Sequence, residues 1–343
     1  MRDDSARDVL LLPFETDALA WPTQGAVWFD FARPLPALDA ARRAQLRCVQ
    51  PFKPDADALA QSGYAFATGD EAGLPLALVL PGRQREQSRA ALARALAVLG
   101  PGGTLVACQA NDEGARSLQA DLAALCGGVR ALSKRHCRVA WATVSAEDQA
   151  STRAREWAAL DAPRALADGW MTRPGVFAWD RIDAASALLI EHLPSHLAGR
   201  AADLGAGTGV LAAALLARNP GLAALDLFEA DARALELARA NLASRADGVE
   251  LGFHWHDVAA GLPGRFDAIV MNPPFHVDRT DAPELGQAFI GAAARALKPG
   301  GGLWLVANRH LPYEATLARE FVHVRELARD AGFKVITARK EKS

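Results

Sequence analysis

The sequence predicts an α/β protein of two tandem domains, each a mostly parallel sheet with helices on both faces and an antiparallel hairpin at one edge. Three observations carry this expectation. Strand-like apolar runs alternate with helical runs through the second half. A helix, a Pro-Gly-Gly break and a strand occur twice at a constant offset. One glycine-rich turn joins a strand to a helix. The length of 343 residues also suits two domains better than one.

Residues 201–204 form a short buried strand, and Gly205-Ala206-Gly207-Thr208-Gly209 turns the chain into an Ala/Leu-rich helix that Asn219-Pro220-Gly221 stops. The next strand spans 222–228 and ends at Glu229. Asp231 caps a helix to about Leu242. Residues 249–255 and 266–271 read as the third and fourth strands. A helix over about 283–297 ends at Pro299-Gly300, and 302–307 is a fifth strand. Val322, Val324 and Leu327 fit either a strand or a helix. With Asp330-Ala331-Gly332 as a tight turn into 333–337, an antiparallel edge hairpin is expected.

The first half echoes this pattern. The run 91–106 matches 289–304 at an offset of 198, and Cys137-Arg138-Val139-Ala140 matches Phe333-Lys334-Val335-Ile336 at 196. A near-constant offset over two separate segments indicates duplication. The first half has no glycine triplet after a strand. The expected division is a first domain over 1–150, a linker over 151–172 and a second domain over 173–343.

Composition narrows the function. Half the residues are apolar and 23% are charged, with a net charge of -2. Either side of Thr172 there are 19 basic and 20 acidic residues, so neither half is a basic nucleic-acid glove. An RNA partner would need a local patch. Arg83, Arg85 and Arg89 form one candidate, and Arg130, Lys134, Arg135 and Arg138 another; ordinary solvated surface explains either as well. No uninterrupted apolar run is long enough to span a membrane, and MRDDSARD is too acidic for a signal peptide. Cys48, Cys108, Cys126 and Cys137 form no C-x-x-C pair. Buried free thiols in a reducing cytoplasm are expected, with neither zinc nor disulfides.

The chemistry lies in the second half. Glycines at 205, 207 and 209 allow close backbone approach to a ligand. Glu229, at the end of the next strand, can accept from both hydroxyls of a ribose. Asp203 precedes the glycines. A carboxylate there repels a pyrophosphate but can bind an ammonium, which favours S-adenosylmethionine (AdoMet) over a dinucleotide. Asp257, after the third strand, is placed to accept from an adenine amine, or is a solvated loop carboxylate. Asn272-Pro273-Pro274-Phe275 follows the fourth strand, at the edge where open α/β sheets bind ligands. The Asn272 oxygen and the Pro273 carbonyl can both accept from one planar amine, and Phe275 can stack on the ring that bears it.

Together with Pro174-Gly175-Val176-Phe177, Gly264-Arg265-Phe266-Asp267, Ala307-Asn308, Leu311-Pro312-Tyr313 and Phe333-Lys334-Val335, these motifs resemble the bacterial 16S ribosomal RNA guanine-N2 methyltransferase C family. The match covers about 173–340. The resemblance implies two Rossmann-like class I methyltransferase domains, the first degenerate, and methyl transfer from AdoMet to a guanine N2 of small-subunit RNA. It also implies a cytoplasmic protein, expected as a monomer, whose partner is ribosomal RNA or the small subunit. Asp203, Gly205, Gly207, Gly209, Glu229 and Asp257 would hold AdoMet, with Phe177 and Asp183 closing over it. Asn272, Pro273 and Phe275 would hold the base. Val79-Leu80-Pro81-Gly82-Arg83 replaces N-P-P-F in the first half, which is left a folding or RNA-positioning role. The rivals are the sister family acting on large-subunit RNA, a glutamine-amide methyltransferase acting on release factors, and a non-catalytic RNA-binding homologue.

Overall fold

The computed structural model describes residues 5–274, 276–277, 280–281, 283–330 and 332–342. It forms two compact units. One holds the chain to Ala162 together with Arg173–Gly175; the other holds Pro163–Thr172 and the chain from Val176 onward.

The first unit is built on β1 (Val27–Asp30), β2 (Leu46–Val49), β3 (Leu74–Val79), β4 (Leu99–Ala110), β5 (Arg130–Lys134) and β6 (Cys137–Thr143). Their order is β2-β1-β3-β4-β6-β5, with β1 to β4 parallel and the β5–β6 hairpin antiparallel. The second unit contains β7 (Gly199–Leu204), β8 (Leu222–Glu229), β9 (Glu250–Trp255), β10 (Phe266–Met271), β11 (Leu297–Asn308), β12 (Val322–Asp330) and β13 (Phe333–Arg339). Their order is β9-β8-β7-β10-β11-β13-β12, parallel as far as β11 and antiparallel beyond it. Removing β9 makes the two sheets topologically identical.

The registers reproduce both sequence offsets. Thr104 pairs with Thr143 in the first sheet, and Gly302 with Arg339 in the second. Carrying the register across β3 and β10 places Phe29 where Asp203 stands and Leu80 where Asn272 stands. At the end of β1, the buried Asp30 pairs with Arg94, which also bonds Asp161, and Arg173 reaches Asp161 as well.

Each sheet is covered on both faces, which is why the central strands are continuously apolar. In the second unit, helix Pro283–Ala296 buries one face through Phe289, Ile290 and Ala293 against Ile269, Met271 and Leu305. Helices Ala184–Glu191, Val210–Arg218 and Ala232–Leu242 bury the other through Leu189, Leu215 and Ala238. A Cβ at Gly286 would collide with the Tyr313 ring, so this helix packs only with glycine there.

Some expectations need correction. The span 151–172 is not a free linker: helix Thr152–Ala158 buries Ala154 and Trp157 in the first unit's core, while Pro163–Thr172 joins the second unit. Arg173–Gly175, expected to begin the second domain, groups with the first unit. The Pro-Gly-Gly motifs lie inside β4 and β11, where the register shifts, and are bulges rather than loops. The ambiguous segment at 322–330 is a strand; Ala331, in the expected turn, lies outside the described residues. The four cysteines are buried free thiols, and burial pushes Cys48 and Cys126 up to about 12. Among the described residues no helix is long and apolar enough to cross a membrane.

Candidate active site

The site forms where β7 and β10 run side by side. Asp203 pairs with Val270 and Leu204 with Met271, so the glycine loop and the Asn272 loop leave the sheet at one level. The cleft between them is lined by Phe177, Asp183, Ser186, Gly205, Gly207 and Asn272, among others.

The three glycines have different tasks. All have positive φ: 69° at Gly205, 55° at Gly207 and 90° at Gly209. A side chain at Gly207 would meet nothing within 4 Å, so that backbone faces open space. At Gly209 it would press within 3.3 Å of the Ala238 methyl, so this glycine lets helix Val210–Arg218 pack on its neighbour.

Glu229 supports the loop from the end of β8. Its carboxylate accepts from the Gly207 amide at 2.7 Å and the Asp231 amide at 2.8 Å. Burial raises its pKa in spite of these bonds. Each carboxylate oxygen keeps a lone pair for a ribose hydroxyl. Glu229→Ala is expected to weaken AdoMet by about 1.5–3 kcal/mol, the usual loss for hydrogen bonds to a charged group. Calorimetric titration measures it; unchanged affinity would put the ribose elsewhere.

Asp203 is fully buried under the loop; among the described residues no side chain bonds its carboxylate, and only the Ala212 backbone amide offsets its burial. Burial, helped by the neighbouring Glu229 charge, pushes it up to about 8. A buried acceptor short of donors is costly. An ammonium would relieve it, which is the donor chemistry of AdoMet.

Asn272 is the most informative side chain. Its amide nitrogen donates to Asp183 Oδ2 at 2.9 Å and to Ser186 Oγ at 2.8 Å. A carboxylate only accepts, so the amide is held with its nitrogen toward Asp183. Its oxygen is thereby turned the other way, buried and without a partner among the described residues. Asp183 also caps helix Ala184–Glu191 by accepting from the Ser186 amide at 3.0 Å. Asp183 therefore caps this helix and lines the cleft at once.

Phe177 is 69% exposed at the cleft wall, not in the core. Asp257, two residues beyond the Trp255 that pairs with Glu229, caps the short turn Val258–Ala260 by accepting from the Ala259 amide at 2.9 Å. Pro273 is buried, and Phe275 lies outside the described residues. Sequence reasoning missed Ser186 and a strap across the glycine loop. There Trp170 donates to Thr208 Oγ1 at 3.0 Å, and Asn241 joins the Met171 and Thr208 backbones.

Known proteins resemble this chain over much of its length. The methyltransferase small domain model matches residues 169–337. The ribosomal RNA small subunit methyltransferase C of Shewanella loihica is 35% identical over 244 residues, 70% of either chain. That of Cronobacter sakazakii is 33% identical over 75% of this chain and 73% of its own. The large subunit methyltransferase G of Alcanivorax borkumensis matches 47% of this chain and 42% of its own at 40% identity. The T. thermophilus 16S rRNA N2 methyltransferase, solved with AdoMet and guanosine, superposes with a TM-score of 0.79 at 25% identity, covering 98% of this chain and 92% of the other. The chain belongs to the ribosomal RNA small subunit methyltransferase C family.

Proposed function

We propose that Asn272 is the residue through which this AdoMet-dependent methyltransferase orients the N2 amine of a guanine in 16S ribosomal RNA. The observation that carries this is the buried amide oxygen of Asn272, left without a donor among the described residues while Asp183 and Ser186 hold the nitrogen.

AdoMet supplies an electrophilic sulfonium methyl. When bound it would be held by Asp203 at its ammonium and Glu229 at its ribose, with Gly205, Gly207 and Gly209 letting the backbone approach and Phe177 at the cleft wall. Asp257 is assigned the adenine amine. Guanine N2 is a weak nucleophile because its lone pair is conjugated into the ring. Accepting both N–H bonds, at Asn272 Oδ1 and the Pro273 carbonyl, turns that lone pair toward the methyl and fixes an in-line approach. Phe275 stacks on the base, which must leave its helix to enter. The amine proton is acidified once nitrogen carries the methyl, and it leaves to water or a carbonyl, so no strong base is required.

The first unit holds Phe29 and Leu80 at the positions of Asp203 and Asn272, and it has no counterpart of β9. It supplies folding or RNA positioning, not chemistry. One AdoMet per chain is expected by calorimetry; two would refute the degenerate reading. Radiolabelled methyl transfer to small subunits, large subunits, deproteinised RNA and release factor tests the substrate class. Label in small-subunit RNA is expected, and label in release factor alone would overturn it.

A further inference from the structure

We propose that the groove between the end of helix Ala184–Glu191 and the β12–β13 hairpin is a second RNA site, where an unstacked base of the substrate lies on Trp304 and flanking phosphates meet Arg325 and Arg339. The proposal rests on RNA being the substrate.

The groove is lined by His192, Trp304, His323, Arg325, Leu327 and Arg339, with Glu191 as the acid on its rim. Its floor is built for a flat ring. Trp304 lies over Gly302 on its own strand, where a Cβ would stand only 2.5 Å from the indole. Glycine is therefore required for the indole to lie over its own strand, where it lines the groove. The duplicated strand has Thr104 and Val106 at these positions, so the platform is confined to the catalytic unit.

The cations are arranged about that ring. Arg339 pairs with Gly302, beneath the indole. Trp304 pairs with Thr337, and Thr337 with Arg325, placing the three in a row across three strands. A register shift between Val322 and Arg325 puts Arg325, rather than Val324, opposite Thr337. At that bulge His323 has a φ of 54°, a strained value for a residue with a side chain. Among the described residues neither Arg325 nor Arg339 has a carboxylate partner. The run in the first half behaves otherwise: Arg83 pairs with Glu113, and Arg85 and Arg89 share Asp121. His192 Nδ1 is also buried at the groove wall, without a partner among the described residues. An aromatic platform flanked by guanidiniums without carboxylate partners, Arg339 donating only to the Gly300 carbonyl at 3.3 Å, suits single-stranded RNA, whose bases stack on any flat ring while its phosphates take the charge.

The test measures binding of deproteinised small-subunit RNA to the full-length protein without AdoMet, over a range of salt. Trp304→Ala should weaken binding about tenfold, whereas Trp304→Phe, which keeps a ring, should retain most of it. Arg325→Gln with Arg339→Gln should lower the slope of log affinity against log salt by about 1.4, two phosphates at about 0.7 each. In turnover assays these variants should raise KM for RNA and leave kcat and AdoMet affinity unchanged. Wild-type affinity and salt slope in folded variants would overturn the site. So would a change in sedimenting mass on substitution, which would make the groove an interface between copies. Binding is read apart from turnover, so failure of the methyl-transfer reading would not be mistaken for failure of the groove.

Discussion

Asn272→Ala is expected to lower turnover by about two to three orders of magnitude while AdoMet affinity changes little. The expectation follows from where the side chain is held. Its amide nitrogen is fixed by Asp183 and Ser186, at 2.9 and 2.8 Å, and its buried oxygen has no donor among the described residues. The residues assigned to AdoMet do not depend on that oxygen. Single-turnover assays and calorimetry separate the two effects, and near wild-type turnover would show that N-P-P-F is only a rigid loop. Asn272→Asp keeps an acceptor but places a charge against Asp183, and should lose less than alanine. Asp183→Asn is the companion test. Asparagine still caps a helix well, yet it no longer dictates which way the Asn272 amide points. Turnover should fall by about tenfold with melting almost unchanged.

Asp203→Asn is expected to weaken AdoMet by about 3 kcal/mol, as when one partner of a buried charge pair is removed. It should also change the pH response. Burial pushes the Asp203 carboxyl up to about 8, so the free protein carries it protonated at neutral pH. Holding an ammonium requires the carboxylate, so binding at pH 7 should release close to one proton. Affinity should rise with pH from 6 toward 8. The enthalpy should vary with the ionisation heat of the buffer in the wild type and not in Asp203→Asn. The stability consequence has the opposite sense. Between the ordinary carboxylate range and about pH 8 the unfolded chain binds fewer protons at this position than the folded one, so stability without AdoMet falls as pH rises. Asp203→Asn should therefore melt above the wild type at pH 8.5, and the advantage should shrink as pH falls, vanishing only in the ordinary carboxylate range near pH 4. A variant with unaltered AdoMet affinity and proton release would remove Asp203 from the donor site.

The parts of this molecule that could be read from the sequence are those whose cause is local. The turn at 205–209 needs positive φ at three nearby positions, and only glycine supplies that freely. The repeat at offsets of 198 and 196 survives because bulge and edge strand are written in short motifs, and the registers return the same offsets. What could not be read depends on partners far apart in the chain. Asp183 and Ser186 meet Asn272 across 89 and 86 residues, and no spacing rule announces such a contact. Trp170 and Asn241 strap the glycine loop from either side in the same way. The boundary at 151–172 failed for a related reason: Trp157 is buried by the first unit and Thr172 is buried with the second, although the intervening composition is that of a linker.

The central claim is that the Asn272 loop presents a guanine N2 of 16S ribosomal RNA to the methyl donor. Nucleoside mass spectrometry of deproteinised small-subunit RNA, treated with the purified protein and AdoMet carrying a deuterated methyl, tests it most directly. The expected product is labelled N2-methylguanosine. Label on adenine N6 or a cytosine, or on guanine of large-subunit RNA alone, would contradict it.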